Sequence, residues 1–359
     1  MSGREVRIAV DAMGGDHAPA EIVRGALRAT REVGIPITLV GRRDVIETAL
    51  RTAPPGSSPV EIVDAQDVVE MSEHPANAVR NKPDSSIARA CELVAGGQAA
   101  AVVSAGNSGA TLAAALLRVK RIKGIARPAI GTAFPTESGR AFMLDVGANS
   151  ECKPEWLAQF AQMGDIYARL MLGIARPRVG LLSNGEEAEK GSDLVRAARP
   201  LIEVLPLRFV GNVEGKDIFR GRVDVVVTDG FTGNIALKMA EGVGEFMFAS
   251  LSRAARSSRL SSIGGALLKP RLRPLRDTMD YRKTGGALML GVSGEVVIAH
   301  GRSDAEAIVN AIRIAAEAVA RDVSGSIDKA INAPEGAVGP LEQVGAVKAN
   351  SPRADEMGS

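Results

Sequence analysis

The chain has 359 residues, a formal net charge of +2, 45% hydrophobic residues and 24% charged residues. This length suits one large α/β domain or two closely joined ones, and the composition is ordinary for a soluble globular protein. Aromatic residues make up only 3%, which argues against base-stacking surfaces for single-stranded nucleic acid. We therefore expect an aliphatic core and no nucleic-acid partner.

The two cysteines, Cys91 and Cys152, lie far apart in a large chain, so a disulfide framework is not indicated. The N-terminal residues lack the apolar region of a signal peptide. No stretch approaches the roughly 20 apolar residues of a membrane-spanning helix. We expect a cytoplasmic protein whose contact with a membrane, where it occurs, is peripheral.

Short β-rich runs alternate with helical patterns, beginning with VRIAVDA and a helix after Pro19. The strand series continues through PITLVG, VEIVDA, AAAVVSAG, AFMLDVG, PRVGLLS, LRFVGN, VDVVVTDG and EVVIAH. Nearly continuous apolar strands between helices are typical of a mostly parallel sheet covered on both faces. The pattern predicts one α/β domain over residues 1–330. Residues 331–359, rich in Pro, Gly and small polar residues, are expected to form a flexible tail.

The last helix of the domain has a sequence signal at its start. Ser303 and Glu306 have the S-x-x-E spacing of a capping box, and Ile308 and Ile312 then fall on one helix face. This spacing predicts that Ser303 is the N-cap.

Residues 250–283 interrupt the alternation of strands and helices. Residues 251–283 contain nine lysines and arginines but only two aspartates, which indicates an acidic partner or an anionic surface. Pro270 and Pro274 in KPRLRPLR are expected to prevent a continuous helix. We predict a protruding basic helical segment, with a solvated charged loop as the competing interpretation.

Polar, glycine-containing loops follow many of the predicted strands. In open parallel sheets, binding sites lie beyond the carboxyl ends of the strands, so we expect these loops to meet in one crevice. The loops are DAMGGD, SAGNSGA, DVGANS, SNGEEAEKGSD, DGFTGN and HGRSD.

SAGNSGA is the strongest candidate for an anion site. The strand ends at Ser104, Gly106 and Gly109 allow close backbone approach, and Asn107 and Ser108 can donate hydrogen bonds before a helix begins. A plain glycine turn capped by Ser108 explains the spacing equally well. The stretch matches neither nucleotide-binding glycine pattern.

A lysine in the GEEAEKGSD loop is a second candidate. Lys190 precedes a helix capped by Ser192 or Asp193, where it could neutralise a phosphate or a developing oxyanion. The alternative is a solvated lysine paired with Glu186 or Glu187, which the residue type alone favours.

Two further strand ends contribute candidates. TDGFTGNIALK ends a strand at Asp229 and opens a helix at Thr232, with Asn234 directed at the crevice or with the whole stretch serving as a capping turn. His300 ends a strand beside Arg302, where it could assist phosphate or form a structural hydrogen bond. The three histidines lack metal-ligand spacing and the cysteines form no C-x-x-C motif, so no metal site and no cofactor are predicted.

Seven stretches together resemble, in the same order and over about residues 5–325, the PlsX family of phosphate acyltransferases. They are DAMGGDHAP, SAGNSGA, DVGAN, CKPE, GEEAEKG, VDVVVTDGFTGN and HGRSDA. The family usually has LLNIGEE where residues 181–187 are LLSNGEE, so the family's roles for the Asn and Ile positions transfer poorly. Ser108 stands where Thr is frequent and preserves the hydroxyl.

The resemblance implies a Rossmann-like three-layer α/β/α fold, similar to phosphotransacetylase and the isopropylmalate dehydrogenases. It implies that inorganic phosphate attacks the fatty acyl thioester of acyl carrier protein, and that the acyl phosphate product serves phospholipid synthesis. It also implies a homodimer that associates peripherally with the inner face of the cell membrane.

Under this hypothesis the loop of residues 104–109 binds phosphate, Lys190 supplies positive charge, and Asn234 orients the thioester or the oxyanion. Supporting roles fall to Asp11, Asp16, Asp229 and His300. The basic segment would contact carrier protein or membrane through Arg259, Leu267, Leu268, Lys269, Arg271 and Arg273.

Three alternatives remain open at this point. The nearest is a phosphotransacetylase-type enzyme that uses acyl-CoA. A metal-dependent hydroxyacid dehydrogenase would share the fold, although no convincing acidic metal cluster is visible in the sequence. A non-catalytic membrane scaffold that binds acyl chains or phosphorylated ligands belongs to a different class.

Overall fold

The structure is a computed structural model that describes residues 6–57, 59–279 and 281–333. The predicted tail lies outside the described residues from 334 onward. Eleven strands form one sheet in the order β3-β2-β1-β4-β11-β10-β5-β6-β9-β7-β8. Their bounds are β1 Ile8–Asp11, β2 Ile37–Gly41, β3 Glu61–Asp64, β4 Ala101–Ser104, β5 Ala129–Thr136, β6 Gly139–Leu144, β7 Arg178–Leu182, β8 Arg208–Val213, β9 Val225–Val227, β10 Ala287–Leu290 and β11 Glu295–Ile298.

Helices cover both faces of this sheet. Thirteen α-helices are described, and a π-helical turn, Ala115–Val119, continues the fifth. Their bounds are α1 Ala20–Glu32, α2 Arg43–Thr52, α3 Pro75–Asn81, α4 Ser86–Ala95, α5 Ser108–Ala114, α6 Pro154–Met171, α7 Asp193–Glu203, α8 Gly215–Phe219, α9 Gly230–Ala255, α10 Arg259–Met279, α11 Tyr281–Thr284, α12 Ala305–Ala320 and α13 Val323–Ile331.

Two separate apolar cores lie on the two faces of the sheet. One packs the inner sides of α1, α6, α7 and α12 against it, and the other packs α3, α4, α5 and α8. Alternate residues of a strand point to opposite faces, so Val102 joins one core and Val103 the other. The predicted three-layer α/β/α fold with a mostly parallel sheet is therefore confirmed.

The strands do not all run in one direction. β3, β2, β1, β4 and β11 are mutually parallel, while β10 is antiparallel to both of its neighbours, β11 and β5. β6 is antiparallel to β5 and parallel to β9, and β9, β7 and β8 continue in the same direction. The six polar strand-end loops therefore divide into two sets of three, one set after strands of each direction.

The strand register places the two sets of loops at nearly the same level along the strand direction. Ser104 at the end of β4 aligns with Ile298, which aligns with Ala287 of β10. One residue along, Leu288 aligns with Gly131, and Gly131 aligns with Leu144 at the end of β6. The oppositely directed strand ends therefore lie within about one residue of the same level across the sheet.

The proline-based expectation for the basic segment is wrong. α10 is helical from Arg259 to Met279 and includes Pro270 and Pro274. Each proline removes one helix hydrogen bond, but residues four apart lie on the same side of a helix. The backbone hydrogen bonds on the other side continue, so the helix is not interrupted.

Helix starts differ from the predictions at two other places. The N-cap of α12 is Asp304, whose carboxylate accepts from Ala307 N at 3.0 Å. Ser303 donates instead to the His300 carbonyl, and Glu306 pairs with Lys283, so the capping box is not formed. α9 begins at Gly230 and not at Thr232. The predicted Ser192 cap of α7 is confirmed, because its hydroxyl accepts from Val195 N.

A tightly packed glycine in β5 generates a stability prediction. The fully buried Phe142 ring stacks on Tyr167 with centroids 3.7 Å apart, and a Cβ at Gly131 would lie 2.0 Å from Phe142 Cζ. The ring cannot retreat because Tyr167 lies behind it. We expect Gly131→Ala to lower the free energy of unfolding by about 1–3 kcal/mol, measured by denaturant titration.

Gly215→Ala is the matched control for Gly131→Ala. A Cβ at Gly215 would meet nothing within 4 Å. Equal unfolding curves for the Gly131→Ala variant and the wild-type protein would show that Phe142 is packed less tightly than described.

Candidate active site

The first loop cluster is organised around a buried aspartate. Asp11, only 3% exposed, accepts from the Ser104 hydroxyl at 2.7 Å, and Ser104 Oγ in turn accepts from Gly106 N at 3.1 Å. Burial raises the pKa of the Asp11 carboxyl, although hydrogen bonds from Ser86 and Ser104 oppose the rise. The predicted phosphate-binding groups of Ser104 and Gly106 are therefore engaged with Asp11 and with each other.

Close backbone approach explains the glycines of the opening loop. A Cβ at Gly14 would lie 2.6 Å from Asp11 Oδ2 and 2.7 Å from Gly106 N. Asp16 N donates to the Gly301 carbonyl at 2.8 Å, which joins this loop to the one after β11. The loops after β1, β4 and β11 thus form one packed unit, with Asp11 and Asp16 in structural positions.

The start of α5 divides the other predicted anion-binding residues. Asn107 is the N-cap, since its Oδ1 accepts from Ala110 N at 3.1 Å, and its Nδ2 donates to the Met71 carbonyl. The cap is therefore not Ser108. A Cβ at Gly109 would lie 2.7 Å from Pro75, so this glycine allows helix packing. Ser108 is the member of the loop that lines a cavity beside α9.

A second buried aspartate, which the sequence analysis did not single out, organises the opposite set of loops. Asp145 follows β6 and is fully buried. One carboxylate oxygen accepts from the backbone N–H groups of residues 130, 147 and 148, and the other accepts from both nitrogens of Asn149. Burial raises the pKa of Asp145, and these hydrogen bonds oppose the rise. The sequence signal was the D-x-G-x-N spacing directly after an apolar strand.

The start of α9 is packed onto the Asp145 loop. Asp229 caps the helix by accepting from Thr232 N at 2.8 Å and from the Thr232 hydroxyl at 2.7 Å. A Cβ at Gly233 would lie 1.9 Å from the Asp145 carbonyl oxygen, so only glycine permits this approach. The close packing places Asn234 beside Gly147, whose added Cβ would lie 2.9 Å from Asn234 Nδ2.

α9 joins the two loop sets across a cavity of about 230 Å³. Ser108 and His300 come from the first set, and Gly147 and Asn234 come from the second. The polar wall also contains Thr132, Lys238 and Glu241. The apolar wall includes Ile130, Phe134, Val146, Phe219, Leu237 and Ala240. Such a cavity, apolar with a few convergent polar groups, is typical of a small-molecule site.

His300 contributes an imidazole to the cavity wall. Burial is the largest influence that lowers the pKa of His300, and the positive charge of Lys238 lowers it further. Its Nδ1 accepts from Arg302 N at 3.2 Å. A neutral ring with an acceptor at Nδ1 carries its proton on Nε2, so His300 provides a donor and not a strong base.

Lys190 lies outside the wall of this cavity. Its backbone is held by Asn212, which donates to the carbonyls of Glu187 and Lys190. The exposed side chain forms no ion pair with any described residue, so the predicted pairing with Glu186 or Glu187 is wrong. The side chain therefore remains available to a ligand at the β7 loop.

An acidic group lies beside the Lys190 loop. Glu186, Glu214 and Asp217 bring their carboxylate oxygens within 4.8 Å of one another. Lys216 pairs with Glu214, and Arg222 lies 3.3 Å from Asp217 and 3.7 Å from Glu186. Two cations already pair with these three acids, so the group is better described as an ion-pair network than as a metal site.

Neither cysteine is placed for nucleophilic attack. Cys91 is fully buried and burial raises the pKa of its thiol. Burial also raises the pKa of Cys152 to about 12, and its Sγ donates to the Asn149 carbonyl. A thiolate is the reactive form, so neither thiol is placed to act as a nucleophile.

α9 and α10 expose unusually many large apolar side chains. Leu267 and Leu268 are 74% and 57% exposed, and Arg259, Lys269 and Arg271 beside them are also exposed. The side chain of Arg273 lies outside the described residues. Within the described part of the chain, no helix combines the length and apolarity needed to cross a bilayer.

Curated relatives match nearly the whole chain. Phosphate acyltransferase of Citrifermentans bemidjiense is 49% identical over 327 residues, which cover 91% of this chain and 93% of the relative. Phosphate acyltransferase of Desulforudis audaxviator is 48% identical over 345 residues, which cover 96% of this chain and 100% of the relative.

Solved structures show the same fold at low sequence identity. A phosphotransacetylase from Streptococcus pyogenes superposes with a TM-score of 0.63 at 18% identity, over 89% of this chain and 95% of that one. A 4-hydroxythreonine-4-phosphate dehydrogenase from Klebsiella pneumoniae gives 0.52 at 16% identity, over 88% of this chain and 100% of that one. These likenesses support the fold alone.

The family described as fatty acid synthesis protein matches residues 6–326. Family match and relatives agree with the resemblance seen in the strand-end loops, and they identify an acyltransferase that transfers acyl groups to phosphate. The chain therefore belongs to the fatty acid synthesis protein family, the PlsX phosphate acyltransferases.

Proposed function

We propose that this acyltransferase takes a fatty acyl group from acyl carrier protein and transfers it to inorganic phosphate, giving acyl phosphate for phospholipid synthesis. The observation that carries the proposal is the cavity under α9. It combines an apolar wall suited to the first carbons of an acyl chain with polar groups from both loop sets suited to phosphate and a thioester.

The reaction needs positioning more than strong acid or base. Phosphate is partly a dianion near neutral pH, and a thiol with a pKa of about 8.5 is a good leaving group. A phosphate oxygen forms a bond to the thioester carbon, and the carbonyl electron pair moves to its oxygen. The tetrahedral oxyanion then re-forms the carbonyl and expels the thiolate, which takes up a proton from solvent. Proximity and preorganised donors lower the barrier to both steps.

The residues around the cavity fit this sequence of steps. Ser108 at the start of α5 would hold phosphate, with the other residues of the 104–109 loop shaping its backbone. Asn234 would donate its amide to the thioester oxygen as negative charge develops. Lys190 would approach from the β7 loop as a mobile cation. Asp11, Asp16 and Asp229 organise the loops that carry these groups.

Charge and exposed apolar surface suggest the partners. The basic 251–283 segment would attract an acidic carrier protein, and α10 combines exposed leucines with cations, as in helices that lie on anionic membranes. We place the protein in the cytoplasm with peripheral contact at the inner face of the membrane, where an acyl phosphate would meet a membrane-bound acceptor.

A second copy of the chain is the proposed cover for α9. Phe231, Ile235, Met239 and Val243 recur every four residues along one side of the helix and are all exposed. Continuous exposed apolar surface on a monomer is typical of a protein interface. This arrangement supports a homodimer in which α9 is buried and α10 remains at the membrane.

The donor preference tests the proposed function against its nearest alternative. With phosphate present, thiol release and acyl phosphate formation should be faster with acyl carrier protein thioesters than with the matching acyl-CoA, at equal concentration. Equal or faster turnover with acyl-CoA would favour a phosphotransacetylase-type enzyme. Absence of phosphate-dependent thiol release from either donor would favour the non-catalytic scaffold.

Two substitutions test the assigned catalytic groups. Asn234→Ala and Lys190→Ala should each lower turnover by about 10²–10³-fold, because the first removes a donor from the developing oxyanion and the second removes a positive charge that would attract phosphate. Steady-state thiol release measures the effect. Lys329→Ala is the control, since this exposed lysine of α13 pairs with Asp322. Near-wild-type turnover in a folded variant would remove that residue from the catalytic assignment.

Vesicle flotation tests the membrane contact. The protein should float with vesicles that contain anionic lipid, and Arg271→Glu combined with Arg273→Glu should reduce the bound fraction, because each surface cation contributes on the order of 1 kcal/mol. Arg51→Glu combined with Lys329→Glu makes the same change of net charge on α2 and α13. Equal loss in both double variants would show that net charge alone, and not the α10 surface, controls vesicle binding. Absence of wild-type binding would remove the proposal.

A further inference from the structure

We propose that Lys238 is a catalytic residue of this site, and that it supplies the fixed positive charge that faces the tetrahedral oxyanion. The inference rests on the proposed transfer of an acyl group from a thioester to phosphate. It assigns to α9 a role that the sequence pattern attributed to Lys190 alone.

Helix geometry places Lys238 next to the group that receives the thioester. Lys238 follows Asn234 by four residues, so the two side chains lie one turn apart on the same side of α9. Both line the cavity, together with Ser108 and His300 on other elements. A ligand held between Asn234 and His300 would therefore lie within reach of the ammonium group.

Glu241 holds the Lys238 ammonium group in place and leaves it accessible to substrate. Lys238 Nζ lies 3.0 Å from Glu241 Oε2, and both residues line the cavity. The Lys238 side chain is 55% exposed and the Glu241 side chain 29% exposed, so substrate can reach the ammonium group from the open side. A glutamate one turn further on restricts the lysine to the cavity side of the helix.

The charge of Lys238 acts on His300, which lines the same cavity. After burial, Lys238 is the largest influence that lowers the pKa of His300. Arg302 acts in the same direction, while Glu241 and Asp16 oppose it. A cation that perturbs an imidazole across the cavity will also stabilise negative charge that develops between them.

Lys190 does not occupy this position. It belongs to the β7 loop, and its side chain is outside the cavity wall. In the transfer step, the new carbon–oxygen bond to phosphate converts the thioester carbonyl into an oxyanion before the carbon–sulfur bond breaks. Lys238 stabilises that oxyanion while it keeps its own proton, and the departing thiolate is protonated by solvent.

Kinetics of two variants test the assignment. Lys238→Gln should lower kcat for phosphate-dependent thiol release by about 100-fold, the typical effect of losing one group that stabilises an oxyanion. Lys238→Arg should recover much of the loss, because it restores the charge. Lys329→Gln, a lysine in an ion pair on α13, should match the wild-type protein. Circular dichroism verifies that each variant is folded.

Titration of His300 by nuclear magnetic resonance measures the pKa of its imidazole. A lysine with a merely structural role would leave this pKa unchanged. Its signal is assigned with a His300→Asn variant, because the chain has only three histidines. The pKa of His300 should rise in Lys238→Gln and stay near the wild-type value in Lys238→Arg.

Activity of Lys238→Gln within about twofold of the wild-type protein would overturn the inference, given the 100-fold loss expected for such a group. Loss of activity without a change in the His300 titration would also overturn it, because the charge would then not act across the cavity. A wild-type protein without phosphate-dependent thiol release would instead remove the proposed function, and this inference with it.

Discussion

The reversal of strand direction at β10 and β5 is the constraint on which the site depends. In a sheet whose strands all ran one way, the six polar loops would lie along a single edge. Here three loops follow strands of one direction and three follow strands of the other, and the register aligns their strand ends to within about one residue. One helix can therefore contact both sets, and α9 does so: Asn234 lies beside Gly147, and Lys238 lines the same cavity as His300.

Two buried carboxylates hold the loops that α9 brings together. Asp11 and Asp145 occupy equivalent chemical situations after β1 and β6, where each accepts hydrogen bonds that would otherwise be unsatisfied in the interior. Glycines complete both arrangements, because a Cβ at Gly14 or Gly233 would collide with the aspartate or its carbonyl. The loops that border the cavity are therefore held in place by buried hydrogen bonds and close backbone contacts.

The candidate site was only partly visible in the sequence. Asn234 and His300 were identified because each follows a strand-end loop, and both line the cavity. Ser104 looked like an anion ligand by the same criterion, yet its hydroxyl is bonded to Asp11. Lys238 carried no signal, because a lysine in the third turn of a helix looks like any solvated lysine. Which face of α9 is covered depends on strands that are distant in sequence.

By itself, the sequence determined the layers, the apolar strands, the family and most of the loops that carry polar groups, because these follow from local periodicity and short motifs. Only the tertiary structure decided the direction of each strand, the capping of α12 by Asp304, the continuity of α10 through its prolines and the pairing of α9 with both loop sets. Strand direction and side-chain partnership are non-local, since they depend on which segments meet across the sheet. Spacing along the chain cannot report them.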